Sequence, residues 1–583
     1  MTPFAEAARP WLAHYPAGVP ADIEPVTAGS LGDELAAAAA EYGDARAFTM
    51  VMPNGMNGHL SFADVDRLSD EFALYLREVI GLQQGDRVGI QLPNCLAYPV
   101  VAFGTLKAGC VVVNTNPLYT GVELRRQLLD ADVSLVVGAD IMSSTLAEVV
   151  PSLEGVPVVI TAISDFFPGY VHGIIRSVQK VWNRTLPPIR FEHTRLRNAL
   201  AQGAATGADA SAYRRELSPD SLACLQYTGG TTGISKGAML THGNLVANGH
   251  QMLGFAGDQI QPGRETVLTA LPCYHVFAFT VNLLGFYLRG GHNILIPNPR
   301  PLANLKRAFE NYPITWVTGV NTLFHGLTNE EWFLDNTPPA LRASISGGMA
   351  LHTATAQRWQ EVTGTPVVEG YGLTESSPGL TFNPLDGGSR PGTVGVPLPS
   401  TVVRPTREDG TPADLGEPGE LWARGPQIMA GYWRKPEETD LVLQDGWLRT
   451  GDIGVMDADG YVTIVDRSKD VIIVSGFNVF PNEVEDALAS HPGVDQVAVV
   501  GVDAGERGER VRAVVVRHDA AVTADELRAH AATRLTAYKV PAEFVFTDAL
   551  PTSPIGKILR KDVRTQFADA VPEPMLSNAG SAR

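Results

Sequence analysis

The chain has 583 residues, of which 44% are hydrophobic and 19% charged, and its formal net charge is −18. This length predicts at least two domains, and the composition is that of an ordinary globular protein. The acidic balance argues against a nucleic-acid partner, because binding to a polyanion depends on Lys and Arg that neutralise its phosphates.

Neither apolar runs nor cysteines point to a compartment other than the cytoplasm. No run approaches the roughly 18 apolar residues of a membrane-spanning helix, and the first ten residues lack the basic start and apolar stretch of a secretory signal. The cysteines show no paired spacing, which argues against a disulfide framework and a zinc site; they are Cys95, Cys110, Cys224 and Cys273.

The first 140 residues predict helices and strands in alternation. Helical patterns cover 31–42 and 62–79, around an extended piece at 47–52. A regular series follows, with strands at 87–92, 110–114 and 133–137 and helices at 96–108 and 121–131. Such alternation predicts parallel α/β architecture.

Residues 170–198 form a locally basic segment. Apolar residues recur at helical spacing up to residue 182, and six Lys or Arg stand against a single acid, Glu192. A basic amphipathic helix fits an anionic membrane surface. The alternative is a solvated helix that packs on the domain by its apolar face.

The stretch Tyr227-Thr-Gly-Gly-Thr-Thr-Gly-Ile-Ser-Lys-Gly237 lies between a predicted strand at 222–227 and a helix that begins near His242. Free backbone N–H groups, short hydroxyls and one ammonium are phosphate-binding groups. The stretch is not a nucleotide-binding P-loop, because Lys236 follows Ser235 and precedes Gly237.

A second α/β series predicts strands at 266–271, 293–296, 315–318, 343–346 and 366–369. The last strand leads into Glu369-Gly-Tyr-Gly-Leu-Thr-Glu-Ser376, in which two glycines flank Tyr371. The aromatic face of Tyr371 could stack on an adenine ring, and the Glu375 carboxylate could hold a magnesium ion through its oxygens. A lone Gly-Tyr-Gly is usually a turn; the phosphate loop and Gly347-Gly-Met349 make the pattern specific.

Short strands and dense turns from residue 383 onward predict a small β subdomain. It contains Thr450-Gly-Asp452, whose carboxylate can accept hydrogen bonds from ribose hydroxyls, and Arg467 downstream can reach the same sugar. The charged run 466–470 suits a linker. We expect a large domain at 1–465, a hinge at 466–470 and a small α+β domain at 471–583.

Near the end of the chain lies Pro554-Ile-Gly-Lys557, which by itself reads as a solvated surface charge. A carboxylate and a polyphosphate repel each other by roughly 4 kcal/mol at 4 Å and an effective dielectric near 20. A cation that arrives only when both anions are bound would offset that repulsion.

Taken together, these motifs resemble those of the adenylate-forming superfamily in order and spacing, and within it the chain most closely resembles bacterial long-chain fatty acyl-CoA synthetases. The likeness covers about residues 12–565 and includes Gly431-Tyr-Trp433 and Thr318-Gly-Val-Asn-Thr-Leu-Phe324. It implies a large N-terminal domain of layered α/β subdomains plus a β subdomain, followed by a small mobile α+β C-terminal domain. It also implies ATP, Mg²⁺, coenzyme A and a long-chain fatty acid as ligands, and a homodimer as a possible assembly.

The resemblance implies a role for each motif position. Lys557, Glu375, Lys236 and His275 would act in catalysis, with Glu375 and Thr228 at the metal. Nucleotide and coenzyme A would contact Thr228, Gly229, Gly230, Thr231, Thr232, Gly233, Ser235, Gly347, Gly348, Glu369, Gly370, Tyr371, Gly372, Thr374, Asp452, Arg467, Ser475, Gly476 and Phe477. Lys469 would be the hinge residue, and the acyl tunnel would include Phe279, Gly319 and Val320.

Plainer interpretations stay open for two of these residues and for the function. His275 can be a hydrogen-bonded core histidine, and Phe279 can be plain core. The expected activity is ATP-dependent formation of fatty acyl-CoA through an acyl-adenylate. The alternatives are a fatty acyl-AMP ligase that serves a carrier protein and a silent fatty-acid-binding protein. The expected location is the cytoplasm, with a peripheral position on the inner face of the cell membrane if 170–198 binds lipid.

Overall fold

The computed structural model describes residues 9–27, 29–182, 185–228, 235–474, 477–503, 509–553 and 556–573. Its α-helices are α1 (Leu31–Tyr42), α2 (Phe62–Leu74), α3 (Ala97–Lys107), α4 (Gly121–Asp130), α5 (Ser143–Val149), α6 (Gly169–Ser177), α7 (Leu196–Ala205), α8 (Ser211–Arg214), α9 (His242–Ala256), α10 (Lys306–Asn311), α11 (Asn321–Leu327), α12 (Glu331–Leu334), α13 (Thr353–Thr363), α14 (Pro436–Val442), α15 (Pro481–Ala489), α16 (Ala524–Ala532) and α17 (Arg560–Gln566). Three π-helical stretches cover Tyr75–Ile80, Val178–Trp182 and Ala278–Phe286.

The strands up to residue 382 are β1 (Arg46–Val51), β2 (Asn57–Ser61), β3 (Arg87–Gln91), β4 (Val111–Asn114), β5 (Leu135–Ala139), β6 (Val158–Thr161), β7 (Thr194–Arg195), β8 (Leu222–Thr228), β9 (Lys236–Thr241), β10 (Thr266–Thr269), β11 (His292–Leu295), β12 (Trp316–Gly319), β13 (Ala343–Ser346), β14 (Val367–Gly372) and β15 (Gly379–Phe382). The later strands are β16 (Val396–Pro397), β17 (Val402–Thr406), β18 (Gly419–Arg424), β19 (Leu443–Gln444), β20 (Trp447–Met456), β21 (Val462–Arg467), β22 (Ile472–Val474), β23 (Phe477–Val479), β24 (Val494–Asp503), β25 (Glu509–Arg517) and β26 (Glu543–Thr547).

Two large sheets with parallel centres form the main body; antiparallel strands lie at one edge of the first sheet and at both edges of the second. Within the described residues the first runs β7-β6-β5-β3-β4-β8-β9, and the second runs β16-β15-β14-β13-β12-β10-β11-β1-β2. In the first sheet only β9 is antiparallel to its neighbour. Functional residues in such sheets gather where the strands end, at their carboxyl edges.

Smaller sheets complete the molecule. The β subdomain is antiparallel, with β17-β18-β20-β19 in order and β21 paired to β20. Beyond it, β24, β25 and β26 form a separate sheet with its own apolar core under α15 and α16. This segregated core makes the small α+β domain a distinct packing unit.

Local sequence explains where several helices begin. Ser30, Ser61, Thr120 and Thr241 each accept a hydrogen bond from the backbone three residues on, while the side chain at that third position bonds back. This capping box satisfies two backbone donors that a helix start would otherwise leave open.

The sheets agree with the expected α/β class, and one local prediction was incomplete. Between the phosphate loop and α9 the structure inserts β9, which pairs antiparallel with β8 from Thr228 opposite Lys236 to Leu222 opposite Thr241. β9 lies at the edge of the first sheet, and three of its six residues are buried. The loop therefore joins two strands, and α9 follows β9.

The N-terminal stretch 9–27 packs against the β subdomain. No sequence pattern predicted this contact. Trp11 is buried there beside Gly460, and the Tyr15 hydroxyl donates to the carbonyl of Pro397 at 2.6 Å. Among the helices that the structure describes, none is long and apolar enough to cross a membrane.

Candidate active site

The mouth of the phosphate loop lies at the carboxyl end of β8. Thr228 and Lys236 face each other across the β8–β9 hairpin, and the Ser235 hydroxyl donates to the carbonyl of Thr228 at 2.5 Å. The predicted contacts Gly229, Gly230, Thr231, Thr232 and Gly233 lie outside the described residues. What the structure defines is the base of the loop and the lysine that closes it.

Lys236 is largely buried and forms an ion pair with Glu438 on α14. Its ammonium also lies 5.1 Å from the centre of the Tyr432 ring, within cation–π range. A phosphate arriving at this lysine would therefore compete with a carboxylate that already neutralises it.

Glu375 lies next to the same tyrosine. The Tyr432 hydroxyl donates to the Glu375 carboxylate at 2.6 Å, and burial together with this carboxylate raises the pKa of Tyr432. Tyr432 reaches Glu375 because its segment pairs with β9: Met239 donates to the carbonyl of Gly431, and Trp433 donates to that of Gly237. Thr374 precedes Glu375 in a single 3-10 turn.

The Glu369 to Gly372 segment closes β14, where the neighbouring strand leaves little room. A side-chain carbon added to Gly372 would lie 1.9 Å from the carbonyl oxygen of Pro378, so only glycine fits at this position. Glu369 accepts a hydrogen bond from the Leu351 amide at 3.1 Å, and burial raises its pKa to about 8. The surroundings of Glu369 therefore favour its protonated form more than water does.

Tyr371, Asp452 and Arg467 form one cluster. The Tyr371 hydroxyl donates to Asp452 at 2.7 Å, and Arg467 Nε lies 3.2 Å from the other Asp452 oxygen. Asp452 and Arg467 also face each other across β20 and β21. The predicted adenine and ribose residues thus meet although 81 positions separate Tyr371 from Asp452.

The Tyr371 hydroxyl is used by Asp452, so any contact with an adenine ring would be through the ring face. Burial and the charge of Asp452 raise the pKa of Tyr371 well above its usual range. The phenol therefore stays a neutral donor that orients the carboxylate.

Gly347 and Gly348 follow β13, and Phe277 packs against Gly347. His275 precedes the π-helical stretch at 278–286, and its pKa is lowered to about 4 by burial and then by the charge of Lys557. His275 is thus neutral at physiological pH. Phe279 is fully buried in the main core, and Gly319 with Val320 links β12 to α11.

Lys557 comes from the small domain, and its electrostatic neighbours belong to this site. Burial lowers its pKa to about 8, with the positive charge of Arg467 acting in the same direction and Asp452 acting against it. Lys557 in turn acts on His275, so the lysine lies within electrostatic range of the histidine and of the Asp452 cluster.

The hinge run continues the β subdomain further than the sequence suggests. β21 extends through Arg467, and a turn from Arg467 to Asp470 follows, in which Asp470 donates to the carbonyl of Arg467. Burial, followed by the charge of Arg467, lowers the pKa of Lys469 in this turn. The predicted boundary at 465 and the hinge role of Lys469 stay predictions.

Of the three predicted coenzyme A residues the structure describes Phe477, which packs within the small domain. Ser475 and Gly476 lie outside the described residues. Phe477 is exposed, and its ring stacks on Tyr538 of the same small domain at 5.0 Å.

A cavity of about 250 Å³ adjoins the Glu375 side of the site. Glu375, Tyr432, Thr450 and Gly451 contribute to its wall. Among the described residues no group of three or more His, Cys, Asp or Glu could hold a metal ion. The arrangement suits an ion that takes part of its ligands from a phosphate substrate, as Mg²⁺ commonly does.

Sequence reasoning missed the partners of the predicted residues. Tyr432 lay within a quoted motif but had no assigned role, and Glu438 and Arg560 had none either. Each of these side chains contacts a residue that is far away in the chain. No local sequence pattern indicates such a contact, so only the tertiary structure could reveal it.

Comparisons with known proteins agree with this geometry. The model of the AMP-binding enzyme family matches residues 35–433, and the AMP-binding enzyme C-terminal domain matches residues 483–557. The long-chain-fatty-acid–CoA ligase of Yersinia pestis is 44% identical over 561 residues, covering 95% of this chain and 98% of that protein. The Bacillus subtilis protein of the same name is 37% identical with the same coverage. Among solved structures, ATP-bound MatB from Rhodopseudomonas palustris has a TM-score of 0.78 at 30% identity, covering 92% of this chain and 99% of that one.

Proposed function

The chain belongs to the AMP-binding enzyme family, and from this premise we propose that it converts long-chain fatty acids to fatty acyl-CoA with ATP, releasing AMP and pyrophosphate. Near full-length similarity to relatives that carry this activity in their names supports the substrate class. The observation that carries the chemistry is the docking of the loop that bears Lys557 on the main body, through the hydrogen bond from Thr322 to the carbonyl of Gly556, within electrostatic range of Asp452, Arg467 and His275.

In the first half-reaction a carboxylate oxygen of the fatty acid attacks the α-phosphorus of ATP, and the bond to pyrophosphate breaks. The chain must hold two anions in contact, and Lys557 supplies the cation between them. Asp452 and Arg467 hold the ribose, the Tyr371 ring lies beside the adenine, and Lys236 with the loop after Thr228 holds the departing phosphates.

In the second half-reaction the thiol of coenzyme A attacks the acyl carbonyl, AMP leaves with the oxygen of the former carboxylate, and the thiol proton is released. Lys557 must leave to admit the thiol, so the small domain rotates at the hinge near Lys469. Ser475, Gly476 and Phe477 would then line the passage of coenzyme A.

Magnesium fits the residues on this side of the site. One oxygen of the Glu375 carboxylate accepts the Tyr432 hydroxyl, while the second oxygen and the Thr228 hydroxyl are hard oxygen ligands of the kind Mg²⁺ prefers. When bound, the ion would neutralise phosphate charge. The contribution of this chain is to orient Glu375 through Tyr432.

The test is AMP release by the purified protein with ATP, magnesium, oleate or palmitate and coenzyme A, with Lys557→Ala as the control. We expect AMP and acyl-CoA in equal amounts, and almost none from the control. Failure to release AMP would overturn the proposal. Accumulation of acyl-AMP in the presence of coenzyme A would instead favour an acyl-AMP ligase that serves a carrier protein.

A lipid surface is the further partner proposed for residues 170–198. Tyr170, Ile174, Val178 and Val181 form an exposed apolar stripe, whereas Val171 and Ile175 pack inward. Arg176 and Arg195 pair with Asp140, and Arg197 pairs with Asp165. Half of the basic residues are thus neutralised by acids outside the segment, so attachment would rest mainly on the apolar stripe.

Liposome sedimentation tests this surface. Tyr170→Ser with Val181→Ser should reduce binding, and Val122→Ser, an equally exposed apolar position on α4, should not. Unchanged binding of the double variant would return the segment to a solvated helix. The homodimer is likewise proposed from the resemblance, and sedimentation velocity tests it.

A further inference from the structure

Helix α11 presents two different faces. Leu323, Phe324 and Leu327 are buried in the core of the main body, whereas Thr322 and His325 are half-buried on the opposite side. Residues three apart lie on one helix face, so these two side chains point in the same direction. Sequence reasoning placed Gly319 and Val320 at the acyl tunnel and assigned no task to Thr322 or His325.

Both outer residues contact the small domain. The Thr322 hydroxyl donates to the carbonyl of Gly556 at 3.1 Å, and His325 Nε2 lies 2.8 Å from a carboxylate oxygen of Asp495. Gly556 immediately precedes Lys557, and Asp495 lies in β24. Two contacts to two separate segments of the small domain define its orientation more strictly than one contact would.

The fit at Gly556 is close. Its φ is +85°, which favours glycine, and an added side-chain carbon would lie 2.7 Å from the Thr322 hydroxyl oxygen and 3.5 Å from Val320. The backbone of the lysine loop therefore rests directly on the start of α11. A shift of Gly556 away from Thr322 would carry Lys557 with it.

From this geometry we propose that Thr322 is a positioning residue for Lys557, with His325 as a second anchor, and that it supports acyl-adenylate formation but not thioester formation. The inference rests on the proposed function, in which Lys557 acts in the first half-reaction and withdraws for the second. The Thr322–Gly556 hydrogen bond exists only while the lysine loop is docked. Its loss therefore weakens only the docked state.

The test separates the two half-reactions in single-turnover experiments. Thr322→Val keeps the shape of the side chain and removes the donor, whereas Thr322→Ser keeps the donor. The loss of one neutral hydrogen bond corresponds to roughly a three- to tenfold change. Thr322→Val should lower the rate of oleoyl-AMP formation by this factor and leave the conversion of supplied oleoyl-AMP and coenzyme A to oleoyl-CoA unchanged.

Two controls complete the design. Thr322→Ser should form oleoyl-AMP at nearly the unmodified rate. Thr328→Val removes a buried hydroxyl at the end of the same helix, where it bonds only to α11 carbonyls in the described structure, and should leave the ratio of the two rates unchanged. Equal loss of both half-reactions in Thr322→Val, or loss of neither, would overturn the inference. Absence of oleoyl-AMP formation in the unmodified protein would instead contradict the proposed function.

Discussion

At the scale of single residues, the lysine from the small domain has the most unusual environment in the site. The pKa of Lys557 is about 8, since burial and Arg467 disfavour its charge. The ammonium needed between two anions is therefore present at neutral pH and is lost from the free protein as the pH rises through this value.

We expect kcat/KM for acyl-adenylate formation to fall with an apparent pKa of about 8 on the basic side, because this parameter reports the free enzyme. Lys557→Arg should abolish the basic limb, even at a lower overall rate, because a guanidinium keeps its charge to above about pH 12. Pyrophosphate exchange measured between about pH 6.5 and 9.5 tests this. If Lys557→Arg showed the same basic limb as the unmodified protein, the limb would have to come from another titrating group.

We expect the binding of ATP to depend strongly on Asp452. It accepts the Tyr371 hydroxyl, pairs with Arg467 and is largely buried. Asp452→Asn should raise the KM for ATP roughly ten- to a hundredfold, since hydrogen bonds to charged groups contribute about 1.5–3 kcal/mol. Tyr371→Phe keeps the ring and should have a smaller effect. A fall in kcat at unchanged KM would contradict the assignment.

At the scale of secondary-structure elements, α14 contacts Lys236, the lysine of the phosphate loop, through one ion pair. Glu438 neutralises Lys236, which extends from the first position of β9. Glu438→Gln removes the competing charge and should lower the KM for ATP two- to fivefold, the range expected for a partly exposed ion pair.

Steady-state kinetics with ATP varied at saturating oleate measures this effect. Glu437→Gln, on the same first turn of α14, is the matched control and should leave the KM unchanged. A higher KM in Glu438→Gln would mean that the carboxylate holds Lys236 in place for the phosphate.

Elements also show how far local patterns reach. The capping boxes begin helices close to the predicted residues, and the β13 strand has the predicted bounds. The strand β9 was not predicted, because Gly237 and Ala238 have low strand propensity and the apolar residues that follow do not alternate with polar ones. The outer face of α11 contacts residues of the small domain that lie far away in the chain, and no local pattern indicates such a partner.

At the scale of the whole molecule, the largely buried guanidinium of Arg560 helps to join the hinge to the small domain, beside Asn482, whose backbone amide also donates to Asp466. Arg560 bonds to Asp466 at 2.9 Å and to Glu485 at 2.6 Å, and Asp466 is inaccessible to solvent. Asp466 ends the β subdomain side of the hinge, whereas Arg560 begins α17 of the small domain. The β subdomain and the small domain are thus coupled through Arg560, which lies three positions after the catalytic Lys557.

Arg560→Ala should destabilise the small domain by about 3 kcal/mol, because removing one member of a buried ion pair leaves the other charge uncompensated. Faster hydrogen exchange in β24 and β25 together with slower acyl-adenylate formation would show this. Arg564→Ala changes an exposed arginine on the same helix and is the control. Unaltered exchange in Arg560→Ala would remove the coupling role.

The sequence by itself determined the α/β class, the strand that leads into Gly370 and the separate small domain, because each is written in neighbouring residues whose spacing follows from helix and strand geometry. Only the tertiary structure decided that Tyr371 is bonded to Asp452, that Glu438 neutralises Lys236, and that α11 supports the loop carrying Lys557. These contacts join residues 81, 202 and 234 positions apart. Such pairs depend on how sheets and domains pack, and no local periodicity encodes them.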